Sequence, residues 1–261
     1  WSARSLTPSG YAVTDVGAAG DDLVVVGSGS DSRLWRSTDG GSSWANTLLP
    51  LIAYAVDGSS AEEAWVAGTH GAGASAIAHT RDRGVTWESQ ALDRADAELR
   101  AIDFADARIG IAAGRAGLVL LTTDGGTTWT PSPLPLTHQG MYCLGAQVLA
   151  DGLSAFVVGV VDGIGTILRT RDGGQSWQVL RAGTPQVIRA IALVDAEQAY
   201  FAGDAGSLLF TFDGGETILP MDPRTPRDEA HASYVAVTAR DADRGWAVAS
   251  EGAIRRLTRV P

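Results

Sequence analysis

Five copies of one eight-residue pattern, set at a nearly constant interval, restrict what this chain can fold into more than any other feature. They read STDGGSSW at 37–44, TRDRGVTW at 80–87, TTDGGTTW at 122–129, TRDGGQSW at 170–177 and TFDGGETI at 211–218. Their last positions, 44, 87, 129, 177 and 218, are 43, 42, 48 and 41 residues apart. A period of that length suits a unit of four short strands, repeated around a propeller. Within each copy an aspartate (Asp39, Asp82, Asp124, Asp172, Asp213) can fold back onto backbone N–H groups. A glycine supplies φ > 0, and a Ser or Thr on either side caps what remains. Trp44, Trp87, Trp129 and Trp177 then open the outgoing strand as apolar anchors. Because the pattern recurs five times, these aspartates read as structural, since a catalyst needs one site.

The ends extend the count. From Ile218 to the last residue and round to Trp1 is 44 positions, and Trp1 to Trp44 is another 43, so the chain behaves as a closed circle of six units. Trp1–Thr7 aligns with the strand that follows each octet and is expected to pair with Ala253–Thr258. The expected fold is therefore all-β: one domain, 1–261, a six-bladed β-propeller of four-stranded antiparallel blades, closed by the N-terminal strand completing the last blade. Each second strand is a short apolar run closed by glycine, such as Val24-Val25-Val26-Gly27, Trp65-Val66-Ala67-Gly68 and Tyr200-Phe201-Ala202-Gly203. The sixth, Trp246-Ala247-Val248-Ala249, ends in alanine. Such strands are expected to be buried on both faces. Innermost strands are expected at 52–56, 99–104, 142–149, 187–194 and 234–238.

Composition narrows function. The net charge is −10, and all 20 basic residues are arginine. That balance argues against nucleic acid or an anionic membrane surface, which demand a basic footprint. The single cysteine, Cys143, excludes an intrachain disulfide and a cysteine-rich metal site. No segment is long and apolar enough to span a bilayer as a helix. The start at Trp1 points to an exported origin, periplasmic or secreted.

The links between blades and the turns between second and third strands share the face opposite the octets, where loop variation carries function. On it fall His70, Arg115, His138, Asp162, Asp204, His231 and Glu251, with Asp31 nearby, and the two longest connections, 131–140 and 220–233. These residues form the candidate binding face. The histidines belong to separate blades, so neither a metal site nor a catalytic constellation is assigned, and no cofactor is expected.

The octet matches the Asp-box, or bacterial neuraminidase repeat. With the composite signature Gly165-Thr166-Ile167-Leu168-Arg169-Thr170-x-Asp172-Gly173-Gly174-x-Ser176-Trp177, followed by Arg189-Ala190-Ile191-Ala192 and Tyr200-Phe201-Ala202-Gly203, the chain resembles the photosystem II assembly factor type of BNR-repeat propeller. That resemblance covers essentially the whole chain. It implies an exported, non-enzymatic scaffold that grips other proteins through its loop face. It also implies an arginine-rich surface patch, and the residues preceding the boxes are Arg36, His79, Leu121, Arg169 and Phe210, with Arg256 as sixth counterpart. Sialidases share the six-bladed, Asp-box architecture, which leaves a carbohydrate-binding or glycoside-hydrolysing propeller as the alternative, with a glycan as ligand. The Tyr–Glu nucleophile pair and arginine triad of that chemistry are not assignable here.

Overall fold

The computed structural model describes residues 10–71, 73–90, 92, 97–181, 186–221, 233–241 and 244–257. The expected closing strand at 1–7, His231 and most of the connection around it lie outside the described residues. The chain divides into two compact units, Trp1–Pro131 and Ser132–Pro261.

Unit 1 opens with an antiparallel meander, β1 (Ala12–Ala19), β2 (Asp22–Ser28), β3 (Ser32–Ser37) and β4 (Ala45–Leu48). A second follows: β5 (Ile52–Gly58), β6 (Ala64–His70), β7 (Ala74–Thr80) and β8 (Glu88–Ser89). A single parallel bridge, Ala19 to Gly58, joins the two into one eight-stranded sheet. A third meander, β9 (Leu99–Phe104), β10 (Gly110–Gly114), β11 (Val119–Thr122) and β12 (Thr130–Pro131), forms its own sheet. Apolar side chains of the second and third strands fill the spaces between meanders. Val24, Val26 and Leu34 meet Val56, Val66 and Ala78 in one cluster. Trp65 and Ile77 meet Leu99, Leu120 and Trp129 in the next. Each valine, leucine or isoleucine side chain withdrawn from water in this way contributes about 1.5–3 kcal/mol.

Unit 2 repeats the scheme. β13 (Tyr142–Val148), β14 (Ala155–Val161), β15 (Ile164–Thr170) and β16 (Gln178–Arg181) make one four-stranded sheet. β17 (Ile188–Leu193), β18 (Ala199–Gly203), β19 (Leu208–Thr211) and β20 (Leu219–Pro220) make another. β21 (Tyr234–Asp241), β22 (Arg244–Ala249) and β23 (Ile254–Leu257) form a sheet of three described strands.

A bulge near the start of each innermost strand explains the recurring glycine. The register skips one residue at Thr14, Tyr54, Leu144, Arg189 and Val235, and at Arg100 in β9. The bulged strand presses its backbone toward the end of the second strand, so a β-carbon on Gly68 would run into the Ile52 carbonyl, and one on Gly159 into that of Tyr142.

Two expectations need correction. Burial on both faces of the second strand fails at the last meander, where Trp246 is 38% exposed, whereas Trp65, Phe156 and Tyr200, which occupy the position of Trp246 in their own meanders, are buried. Ile254, on the same face of β21–β23, is 55% exposed. The tryptophans also do not open the outgoing strands. β4, β8, β12 and β16 begin one residue later, at Ala45, Glu88, Thr130 and Gln178. The indole instead folds back on the turn, and Trp44 Nε1 donates to the Gly41 carbonyl at 3.2 Å.

Candidate functional site

The five boxes share one hydrogen-bond scheme. In the fourth, the Ser176 N–H and hydroxyl donate to the two oxygens of Asp172 at 2.9 and 2.5 Å, and the Thr170 hydroxyl donates to Asp172 at 2.7 Å. The same Thr170 oxygen accepts the Gly174 N–H at 3.0 Å. Corresponding bonds join Ser37, Asp39, Gly41 and Ser43, Thr80, Asp82, Gly84 and Thr86, and Thr122, Asp124, Gly126 and Thr128. Thr211, Asp213, Gly215 and Thr217 follow suit. Gly173 and Gly174 lie at φ 69° and 79°; in the second box Arg83 accepts the first of these strained positions at φ 65°. The donated bonds hold Asp39, Asp82, Asp172 and Asp213 down to about 2, led by the hydroxyls of Ser43, Thr86 and Ser176 and, for Asp213, by the Thr217 amide. Asp124 is lowered likewise, first by the Thr128 amide. Carboxylates in this state are acceptors with no proton to give at neutral pH.

At the opposite end of unit 1, three connections surround a cleft of about 290 Å³. They are the β2–β3 turn (Ser28–Ser32), the β4–β5 link (Leu48–Ile52) and the end of β6 with its turn (Thr69–Gly71). Leu48 and Ile52 are exposed apolar side chains on its rim. His70, the last residue of β6, is exposed beside them. Asp31 is held by Arg33, through Nε at 3.2 Å and Nη2 at 2.9 Å, and by the Tyr11 hydroxyl. The Tyr11 bond, and after it Arg33, keep Asp31 below the usual carboxylate range.

Two residues along β5 from Ile52, Tyr54 lies under the Arg100 guanidinium, 3.8 Å from ring centre to Cζ. Arg100 and Arg115 both donate to Glu98 Oε2 at 2.8 Å, and they lower its pKa, Arg100 most. Arg115 sits at the head of a short 3-10 turn, Arg115–Gly117. This Tyr54–Arg100–Glu98 group is missing from the candidate face read off the sequence. A bulge lifts Tyr54 and Arg100 out of register, and the sequence marks it only through the glycine at the end of the neighbouring second strand.

In unit 2 the expected residues stand apart in their roles. Asp162 occupies, with Gly163, a two-residue hairpin tip at φ 50° and 78°, so its place is conformational. Asp204 is gripped by Arg189 through two bonds, 2.5 and 2.9 Å, and its pKa is lowered chiefly by that pairing. His138 ends the 3-10 turn Leu136–His138 with Nδ1 2.8 Å from the Thr137 hydroxyl, and burial pushes its pKa down. Glu251 is exposed on the turn between β22 and β23. Among the described residues no three His, Cys, Asp or Glu side chains gather as a metal site, and no helix is long and apolar enough to cross a membrane.

The implied arginine patch requires correction. Arg36 and Arg169, just before their boxes, are buried. Arg36 Nε and Nη2 pair with Asp22 Oδ2 at 2.8 and 2.5 Å. Arg169 Nη2 meets Glu216 at 2.9 Å and its guanidinium also serves the Gly214 carbonyl and Gln178. His79, at the same register, is buried and stacked on Trp65. These side chains are not part of a surface, whereas Arg256, the sixth counterpart, is exposed.

Comparison with known proteins agrees with this geometry. The family model for photosynthesis system II assembly factor YCF48 matches residues 49–191. The photosystem II assembly lipoprotein Ycf48 of Synechococcus sp. (strain CC9902) is 28% identical over 151 residues, 57% of this chain and 44% of that relative. This chain thus spans less than half the length of that curated relative. A solved structure of YCF48 bound to D1 peptide superposes with a TM-score of 0.72 at 21% identity, over 98% of this chain and 81% of the other. The GH74 enzyme of Niastella koreensis superposes with a TM-score of 0.71 at 13% identity, over 93% of this chain and 44% of that one. At such identities these two likenesses are of fold alone, that of a β-propeller built from BNR repeats. The repeated boxes, the meanders they seal and a family model that matches more than half of the residues lead to one assignment: this chain belongs to the photosynthesis system II assembly factor YCF48 family.

Proposed function

We propose that this chain is a non-enzymatic, protein-binding assembly factor that seats an extended segment of a partner protein on its loop face, in the unit 1 cleft. Membership of the YCF48 family carries the reading, and a relative of the same fold is seen bound to D1 peptide. The cleft supports it with an apolar rim, Leu48 and Ile52, and polar groups, His70 and the Ser28–Ser32 turn, that suit a peptide side chain and its backbone. The loop-face acids Asp31, Glu98 and Asp204 are each tied to arginine, a state suited to recognition rather than proton transfer. An extracytoplasmic location fits a relative named as a lipoprotein.

The test is calorimetric titration of a D1 peptide into the wild type, Ile52→Asp and His70→Ala. The wild type should bind, and Ile52→Asp should weaken Kd about tenfold or more, the loss of roughly 1.4 kcal/mol. Peptide binding that survives both substitutions undiminished would remove the cleft from the reading. Glycan binding in place of peptide binding would overturn the reading itself.

The scaffold we propose is one domain over 1–261, six blades in a ring, with residues 1–7 as the fourth strand beside β23. The three described strands β21–β23 leave room for it at the β23 edge. A variant beginning at Pro8 should then melt about 5 °C lower or more. An unchanged melting temperature would rule out that closure.

A further inference from the structure

Three hydroxyls of the unit 1 cleft offer a ligand lone pairs rather than protons. Thr69 donates to the Ala74 carbonyl at 2.9 Å, Ser28 to the Ala53 carbonyl at 3.3 Å and Ser32 to the Gly27 carbonyl at 3.4 Å. A hydroxyl has one proton, so each of these is spent inside the protein. Asp31 is an acceptor outright. Its Oδ1 takes the Tyr11 hydroxyl and Arg33 Nε, while Oδ2 takes Arg33 Nη2 at 2.9 Å, and the side chain is 31% exposed. A carboxylate oxygen can accept from two donors, so Oδ2 has a place left. The same molecule shows how such a place is filled: Glu98 Oε2 accepts Arg100 Nη2 and Arg115 Nε together, each at 2.8 Å. One carboxylate there serves two guanidiniums, and Asp31 has the first of its two.

We propose that the cleft receives a long basic side chain of the partner segment, arginine or lysine, whose charged head meets Asp31 Oδ2 and the Ser28 and Thr69 oxygens while its aliphatic stem lies along Leu48 and Ile52. This rests on the peptide-binding reading above and adds the chemistry of the residue that is gripped. At about 290 Å³ the cleft is at the small end of ligand sites, roughly 300–1,000 Å³, and so suits a side chain. Its rim needs a stem: Leu48 and Ile52 are 56% and 42% exposed, apolar surface that a short polar side chain would leave wet. The net charge of −10 draws a basic segment in over distance and repels an acidic one. Among the described residues no arginine lines the cleft, and Arg33, behind Asp31, is engaged on all three nitrogens, with Nη1 on Asn46 Oδ1 at 2.7 Å. An incoming carboxylate meets a guanidinium already committed.

The test uses capped pentapeptides with a central arginine, lysine, glutamine or glutamate between leucines, titrated into the nitrogen-15-labelled full chain and followed through its amide shifts. The arginine and lysine peptides should move the amides of the Ser28–Ser32 turn and of Thr69–Gly71. They should bind about fivefold tighter than the glutamine peptide, the effect of one partly exposed charge-assisted bond, with the glutamate peptide weakest. Asp31→Asn should abolish the preference for arginine over glutamine, and added salt should erode it in the wild type. Equal binding of the arginine and glutamine peptides, tighter binding of the glutamate peptide, shifts confined to other amides, or a preference that survives Asp31→Asn each overturns the inference. Should Asp31→Asn fail to fold, the salt series in the wild type decides, and an arginine preference that salt leaves untouched counts against it. Failure here is separable from failure of the peptide-binding reading. A D1 peptide that binds and is weakened by Ile52→Asp, while the pentapeptides show no charge preference, strikes the basic side chain alone; silence of the D1 peptide and the pentapeptides together strikes both.

Discussion

Replacing Trp65 by alanine is expected to destabilise the protein by about 3–5 kcal/mol, the range for removing a fully buried aromatic side chain. Trp65 has no exposed surface. Its ring lies between His79, 4.3 Å away and nearly parallel at 7°, and Phe104, 3.6 Å away at 11°. Phe104 in turn meets Trp129 edge-on at 5.8 Å. The indole Nε1 donates to the Gly125 carbonyl inside the third box at 3.2 Å, so one side chain ties the second meander to the turn of the third. Truncation removes the dispersion contacts of two stacked rings and leaves that carbonyl unpaired. Trp65→Phe, which keeps a ring but not the donor, should fall between. Urea denaturation of the three proteins decides the matter: a loss for Trp65→Ala below about 1 kcal/mol would mean that the stack relaxes freely.

The second large effect is expected at Asp22. Its carboxylate is the partner of Arg36, and both side chains are buried, at 10% and 7% exposure. Asp22→Ala leaves a guanidinium desolvated and uncompensated, which costs about 3–5 kcal/mol. The companion substitution separates lost pairing from lost packing. Arg36→Met in the Asp22→Ala background removes the orphan charge and should restore most of the stability. If the double variant is no more stable than Asp22→Ala, packing and not charge governs the site.

These two residues mark where the sequence could and could not be read. The octets are legible because a turn of this kind needs particular atoms at particular positions: a hydroxyl at its first position, a carboxylate at its third, a glycine at its fifth. The apolar second strands are legible for a similar reason, since burial on two faces leaves no room for alternation. Arg36 and Arg169 are different. A repeat fixes their register, but whether an arginine at that register faces water or a sheet depends on who supplies its counter-charge. Asp22 comes from the neighbouring strand and Glu216 from another repeat. The same limit hid Tyr54, Arg100 and Glu98, whose meeting depends on a bulge, and Asp57, which reads as one more acid until its amide partner 47 residues on is seen. Trp246 went astray in the opposite sense: its run looks like its siblings, and burial is a property of the neighbour as much as of the strand.

The box hairpins have a consequence for how the chain reaches this state. Each spans eight residues and bonds its aspartate to its own hydroxyls and amides, and β1 to β23 pair almost entirely with their sequence neighbours. Pairing between sequence neighbours is reached with less loss of loop entropy than pairing between distant strands. A nascent chain can therefore seal one hairpin while the next is still being synthesised.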